Sequence, residues 1–292
     1  MQCEVINIIT PDKVILEGLW FGPKKPKRVV IYHHGLAGNA FGRHEIFVPL
    51  VDDKTAVIFY SNRGHDKVTR VKRVNKKSKK GFDRIICGEA HEIFIDCVDD
   101  IAGAINFAKK SGAKEILLAG QSTGCQKVAY YLSKKSNQKD ILGAILLSPM
   151  SDYAAALKFD KKYLTKATAF AKKLVKEKKQ HQILPLDIWP FNHDAQRFLS
   201  LYTPDSEEEI FSYCQPDKKP AVYQSLKLPL LVVLPEQDEF RDRPMKRIAK
   251  WFSDNSNSDD LTICLVPKAN HGFSKKEKVV IGIINDWMKE IN

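Results

Sequence analysis

Gly120-Gln121-Ser122-Thr123-Gly124 follows a short apolar run, Glu115 to Ala119, and precedes a helix-compatible run, Cys125 to Lys135. The pattern predicts a strand, a tight turn and a helix. In such a turn the serine is held at strained dihedrals with its hydroxyl pushed outward. Glycines on both flanks let the crowded strand and helix pass without a clash. Small residues alone would suit any tight turn; the flanking elements make Ser122 a candidate nucleophile.

Outward from that stretch, strands and helices alternate. Cys3–Thr10 and Val14–Phe21 alternate apolar with polar or small residues around Pro11-Asp12 and predict an antiparallel hairpin. Arg28–Tyr32, Thr55–Tyr60, Ile141–Leu147, Leu228–Leu234 and Leu261–Val266 read as further strands. Ile46–Val51, Glu89–Lys110, Arg243–Phe252 and Val279–Ile291 read as helices, the second with Ile93, Cys97, Ile101 and Ile105 near one face. This order predicts an α/β protein: a mainly parallel central sheet with helices on both faces. Candidate functional groups then belong at the carboxyl ends of the strands. Residues 151–227 break the alternation with helical stretches (Ala154–Lys179) and a proline-rich passage but no strand. They read as a helical cap or lid inserted into one domain whose core is 1–150 and 228–292.

Composition narrows the function. With 43% hydrophobic and 28% charged residues the chain is that of an ordinary globular protein. No apolar run is long enough to span a bilayer. The start, Met1-Gln2-Cys3-Glu4-Val5, has no signal-peptide pattern. Six scattered cysteines with no Cys-x-x-Cys pair predict free thiols in a reducing compartment, so a cytoplasmic location is expected. The net charge is +12, concentrated in 67–84 and 158–179. Segment 66–84 shows no apolar period and reads as an exposed basic loop. The charge suits a lysine-rich solvated surface, an anionic small-molecule substrate, or peripheral contact with an anionic membrane. Nucleic acid is not expected, because the basic runs lack interleaved aromatics. No metal site is read, since His44-Glu45 and His91-Glu92 lack a second histidine at helical spacing.

A serine hydroxyl needs a base, and the base needs an orienting acid. Asp238 follows the Leu228–Leu234 strand and His271 follows Leu261–Val266. Serine, acid and histidine thus each stand beyond the carboxyl end of a different strand and can meet above one sheet edge. Glu236 and Glu239 are rivals to Asp238 as the acid. An oxyanion site needs two backbone N–H groups. Thr123, at the start of the elbow helix, supplies one candidate; Leu36, after His34-Gly35, supplies the other. His33 and His34 are expected to hold that loop, and Cys125 to pack.

His34-Gly35, Arg63-Gly64-His65, Gly120-Gln121-Ser122-Thr123-Gly124, Asp238 and His271-Gly272 together resemble the α/β-hydrolase family over nearly the whole chain. A narrower likeness is to the branch related to siderophore esterases, through Ser122–Gln126, Ala195–Leu201 and Asp238-Glu239. That branch often carries His before the serine and Asp after the Cys-Gln pair; Gln121 and Lys127 stand there instead. The resemblance implies a Ser122–His271–Asp238 triad that cleaves carboxylic esters through an acyl-serine, with no cofactor. A thioesterase or acyltransferase on an anionic acyl carrier, or a non-catalytic binding protein of the same fold, stays open. The acyl and alcohol groups are not legible from sequence.

Overall fold

The computed structural model describes residues 3–134 and 139–291. Ten strands form one sheet: β1 (Cys3–Ile9), β2 (Val14–Phe21), β3 (Arg28–His33), β4 (Thr55–Tyr60), β5 (Thr69–Val74), β6 (Phe82–Cys87), β7 (Glu115–Gln121), β8 (Ile141–Leu147), β9 (Leu230–Pro235) and β10 (Leu261–Val266). From β10 through β9, β8, β7 and β3 to β4 every pairing is parallel, and the remaining strands join antiparallel. The helices are α1 (His44–Phe47), α2 (Cys97–Lys110), α3 (Thr123–Lys134), α4 (Asp152–Phe159), α5 (Lys161–Lys176), α6 (Ala195–Tyr202), α7 (Ala221–Gln224), α8 (Met245–Asn255) and α9 (Glu277–Glu290).

The parallel strands are apolar on both faces because both faces are covered. Val29, Ile31, Ile116 and Leu118 pack with α2, α3 and α8 on one side. Val30, Tyr32, Leu117 and Ala119 pack with α1 and α9 on the other. A third apolar cluster, around Leu164, Trp189, Phe198 and Leu201, belongs to the segment between β8 and β9. That segment carries α4 to α7 and, apart from an isolated bridge between Ile183 and Asp194, no strand.

Two sequence expectations are corrected. The basic segment 66–84 is not a loop: most of it forms the β5–β6 hairpin. Val71, Ile85 and Cys87 turn into the core while Arg70, Lys72 and Arg84 alternate away from it. Charged residues on the outward face of edge strands are a common defence against unwanted pairing, and they mask the apolar period. Opposite β1, β2 meets β4 over Gly18–Phe21 and β5 over Val14–Ile15. The hairpin therefore carries on past the carboxyl end of β4. The second correction concerns α2, which begins at Cys97 after a 3-10 turn at 94–96, not at Glu89. Ile93 is extended, with φ of −95° and ψ of 109°, so no continuous helix runs from Glu89 into α2. The other predicted elements are present with small shifts of their ends; Lys135, expected to close the elbow helix, lies outside the described residues.

Candidate active site

Ser122 stands between β7 and α3 with φ of 54°, the left-handed region. The sharp reversal brings backbone against backbone. A Cβ at Gly120 would lie 2.5 Å from the Gly124 carbonyl, and one at Gly124 would strike the carbonyl of His33. Both glycines are therefore required by close approach. Thr123 opens α3, and Leu36 lies in the loop after β3. That loop packs directly on the elbow, since a Cβ on Gly35 would lie 2.9 Å from Ser122 Cβ. Among the described residues the backbone N–H of Leu36 and that of Thr123 find no acceptor.

His34 holds the loop from beneath. Its Nε2 accepts the Asn62 N–H at 3.1 Å and its Nδ1 lies 2.8 Å from the Gly35 carbonyl. These contacts fix the neutral tautomer with the proton on Nδ1. Burial, and then Lys127, push the His34 pKa down to about 3, so the ring stays neutral. His33 is likewise buried, on the Tyr60 hydroxyl. Cys125 is buried too, its thiol directed at the Leu147 carbonyl.

Asp238 and His271 are brought together. Asp238 follows β9, His271 follows β10, and His271 Nδ1 is 2.8 Å from Asp238 Oδ2. The rival acids are occupied differently: Glu239 accepts the His271 N–H at 2.9 Å, and Glu236 accepts that of Lys268 at 3.0 Å. With Nδ1 taken, Nε2 is the ring nitrogen left to act. Ser122 and His271 line one cavity of about 1030 Å³. The Ser122 hydroxyl is not hydrogen-bonded to His271 here; its contact is with Met150 Sδ at 3.9 Å.

A clamp that the sequence did not reveal holds the histidine loop. Arg43, itself at φ of 64°, donates from Nε to Gln121 Oε1 at 2.5 Å and from Nη1 to the Gly272 carbonyl at 2.8 Å. The Tyr32 hydroxyl donates to the same Gln121 oxygen at 3.1 Å, and Gln121 Nε2 donates to the His271 carbonyl at 3.4 Å. Ser148 Oγ donates to that carbonyl at 2.8 Å. Of the side chains that build this clamp, Arg43, Tyr32, Gln121 and Ser148, the sequence singled out Gln121 alone, as a departure from the siderophore-esterase pattern.

The segment between β8 and β9 contributes Asp152, Ala155, Ala156, Phe159, Phe191 and Tyr202 to the cavity wall. Asp152 is buried, and its Oδ2 accepts from Gln126 Nε2 at 2.8 Å. Burial, and then Glu208, push its carboxyl up to about 8. No group of side chains able to hold a metal ion is present among the described residues, and none of their helices is long and apolar enough to cross a membrane.

The family described as "Protein of unknown function (DUF1749)" matches residues 95–289. No curated protein matches the sequence. Among solved structures, the siderophore hydrolase EstB from Aspergillus fumigatus superposes with a TM-score of 0.67 at 16% identity, over 99% of this chain and 98% of that one. The α/β hydrolase GrgF from a Penicillium species gives 0.68 at 13% identity, over 99% of both chains. An esterase from Pyrococcus furiosus gives 0.58 at 17% identity, over 98% of this chain and 91% of that one. At these identities the likeness is one of fold, and the fold is that of the α/β hydrolases.

Proposed function

The chain belongs to the DUF1749 family and has the α/β-hydrolase fold, and from these premises we propose that it is a serine hydrolase of carboxylic esters. The observation that carries this reading is that His271, paired with Asp238 at 2.8 Å, lines the same cavity as a serine at a left-handed elbow. In the proposed cycle Ser122 Oγ turns from Met150 toward His271 Nε2 and attacks the ester carbonyl. His271 takes the hydroxyl proton and passes it to the departing alcohol. Asp238 keeps the imidazole in the required tautomer and stabilises the imidazolium. The N–H groups of Leu36 and Thr123 receive the negative oxygen of the tetrahedral intermediate, and losing one such donor typically costs about 3 kcal/mol of transition-state stabilisation. Water, activated by the same histidine, then releases the acyl group. Hydroxyl–base contacts in empty sites are often long and tighten only with substrate bound. Residues 151–227 serve in this reading as the cap that shapes the acyl and alcohol pockets.

The test is labelling and turnover together. A fluorophosphonate should modify Ser122, and short p-nitrophenyl esters should be hydrolysed. Ser122→Ala should lose label and lower turnover by about a thousandfold or more. Hydrolysis that survives this substitution would reject the mechanism.

A further inference from the structure

The cavity is charged opposite to the chain. The whole sequence is +12, yet the cavity walls carry Glu45, Glu89, Asp152, Asp160 and Glu239 against a single arginine or lysine, Arg43. That guanidinium is already engaged with Gln121 and the Gly272 carbonyl, and it lies 3.6 Å from Glu45. Among the described residues no lysine or arginine comes within 4.0 Å of the carboxylates of Glu89, Asp152, Asp160 or Glu239. Glu89 meets His193, Glu239 meets a backbone amide, and Asp152 meets only a neutral amide although it is 91% buried, being 9% exposed. Glu45 and Asp152 occupy first turns of helices, where the helix dipole favours an acid. The dipole accounts for an acid at those positions; it does not account for their sharing one cavity with three more.

The second observation is aromatic. Phe41, Phe159, Phe191 and Phe240 are 74%, 51%, 44% and 42% exposed, and all four line this cavity. Exposed rings gathered at one opening mark a binding surface. Ring faces carry negative potential and attract cations; the Lys158 ammonium already lies 4.6 Å from the centre of the Phe159 ring, which leaves Phe41, Phe191 and Phe240 for a ligand. Carboxylates without cationic partners attract the same ligand and repel an anion. A protonated or quaternary ammonium group satisfies both features, and a carboxylate or phosphate satisfies neither. Asp152, pushed up to about 8 by burial, is largely protonated at neutral pH, so Glu89, Asp160 and Glu239 are the carboxylates that carry the negative charge toward a ligand.

We propose that the cavity binds an organic ammonium group, so that the preferred ester carries a cationic amine and not an anionic acyl carrier. This rests on the hydrolase reading only for the word ester; the binding preference is tested without turnover. Calorimetric titration of the full chain would use phenylpropyl-trimethylammonium, its uncharged tert-butyl isostere and the carboxylate of the same length. The ammonium should bind about tenfold more tightly than the isostere, and the carboxylate more weakly than both. Glu89→Gln should shrink the ammonium preference; Asp160→Asn, a separate position, covers the case in which the first variant does not fold. Equal binding of ammonium and isostere, or tighter binding of the carboxylate, would overturn the proposal. The expected order of affinities in a protein that neither takes the fluorophosphonate label nor cleaves any ester would count against the hydrolase reading alone.

Discussion

Arg43 shows how much positioning rests on one side chain. Its fork joins the residue before the candidate nucleophile to the residue after the candidate base. Lysine at this position would keep the charge but could not make two divergent bonds from a planar group. Arg43→Ala should lower kcat about 10- to 100-fold with KM little changed, because misplacing a reacting group by about 1 Å can cost that much. Arg43→Lys should recover only part of it. Steady-state kinetics on a p-nitrophenyl ester check both, and an unchanged kcat would remove Arg43 from the positioning role. Asp152 gives a prediction in pH. Its carboxyl rises from an ordinary 3.8 to about 8 on folding, first through burial. A raised pKa means that the folded chain holds a proton the unfolded chain releases. The contribution to stability is therefore full below about pH 4 and lost as pH rises through about 8. Asp152→Asn keeps an acceptor for Gln126 and has no proton to lose. Its melting temperature should gain on that of the native chain between about pH 5 and pH 9, and parallel melting curves across that range would refute the assignment.

At the scale of elements, the parts readable in the sequence are those whose signal is local. Val29–Ile31 and Leu117–Ala119 are continuous apolar runs because helices cover both faces, and the elbow is compressed into five residues. The β5–β6 hairpin was not readable, because five of the twelve residues in its two strands are Lys, Arg or Asp pointing outward or flanking the turn, and only Val71, Ile85 and Cys87 reach the core. Arg43 was not readable either: its partners Gln121 and Gly272 lie 78 and 229 residues away, and no periodicity records such a meeting. The start of α2 was misjudged for a related reason: residues 88–90 pack on the distant turn at 63–67 and the chain is extended at Ile93, a tertiary contact that the apolar period does not record. If Val71 anchors the hairpin, Val71→Asp places an unpaired carboxylate in the core and should cost about 2–4 kcal/mol in urea unfolding. Lys72→Gln, on the opposite face of the same strand, should change stability by less than about 0.5 kcal/mol. Equal effects from the two would mean that the hairpin is not docked.

At the scale of the whole molecule, the question is how the segment between β8 and β9 is fastened to the sheet. Part of the fastening is apolar, since Ile210, Phe211, Tyr213 and Tyr223 of this segment belong to the cluster on the α2, α3 and α8 face of the sheet, whereas the cluster around Trp189 is separate. The part around Trp189 is tied by a buried chain of charges. Lys127 on α3 meets Glu92 at 2.5 Å, Glu92 meets Arg197 on α6 at 2.8 Å, and Arg197 meets Glu208 at 2.5 Å. Burial would raise the Glu92 carboxyl, but Lys127 and Arg197 hold it down at about 2. The backbone supports the same seam, with Asp194 N–H on the Ala90 carbonyl at 2.9 Å and Gln196 Nε2 on the Glu92 carbonyl at 3.0 Å. Lys127, a departure from the siderophore-esterase pattern, thus ties the helix behind Ser122 to the segment over the cavity. Glu92→Gln leaves two buried cations short of a counter-charge, and removing one partner from such a network costs about 3–5 kcal/mol. Trp189 lies in the apolar cluster of that segment and Trp287 under the sheet, so variants that keep only one of the four tryptophans report on each part separately. With Glu92 intact the two probes should unfold at one urea midpoint. In Glu92→Gln the Trp189 signal should move to lower urea ahead of Trp287, and ester turnover should fall with it. Coincident, unshifted midpoints in the variant would show that the charges do not hold the two parts together.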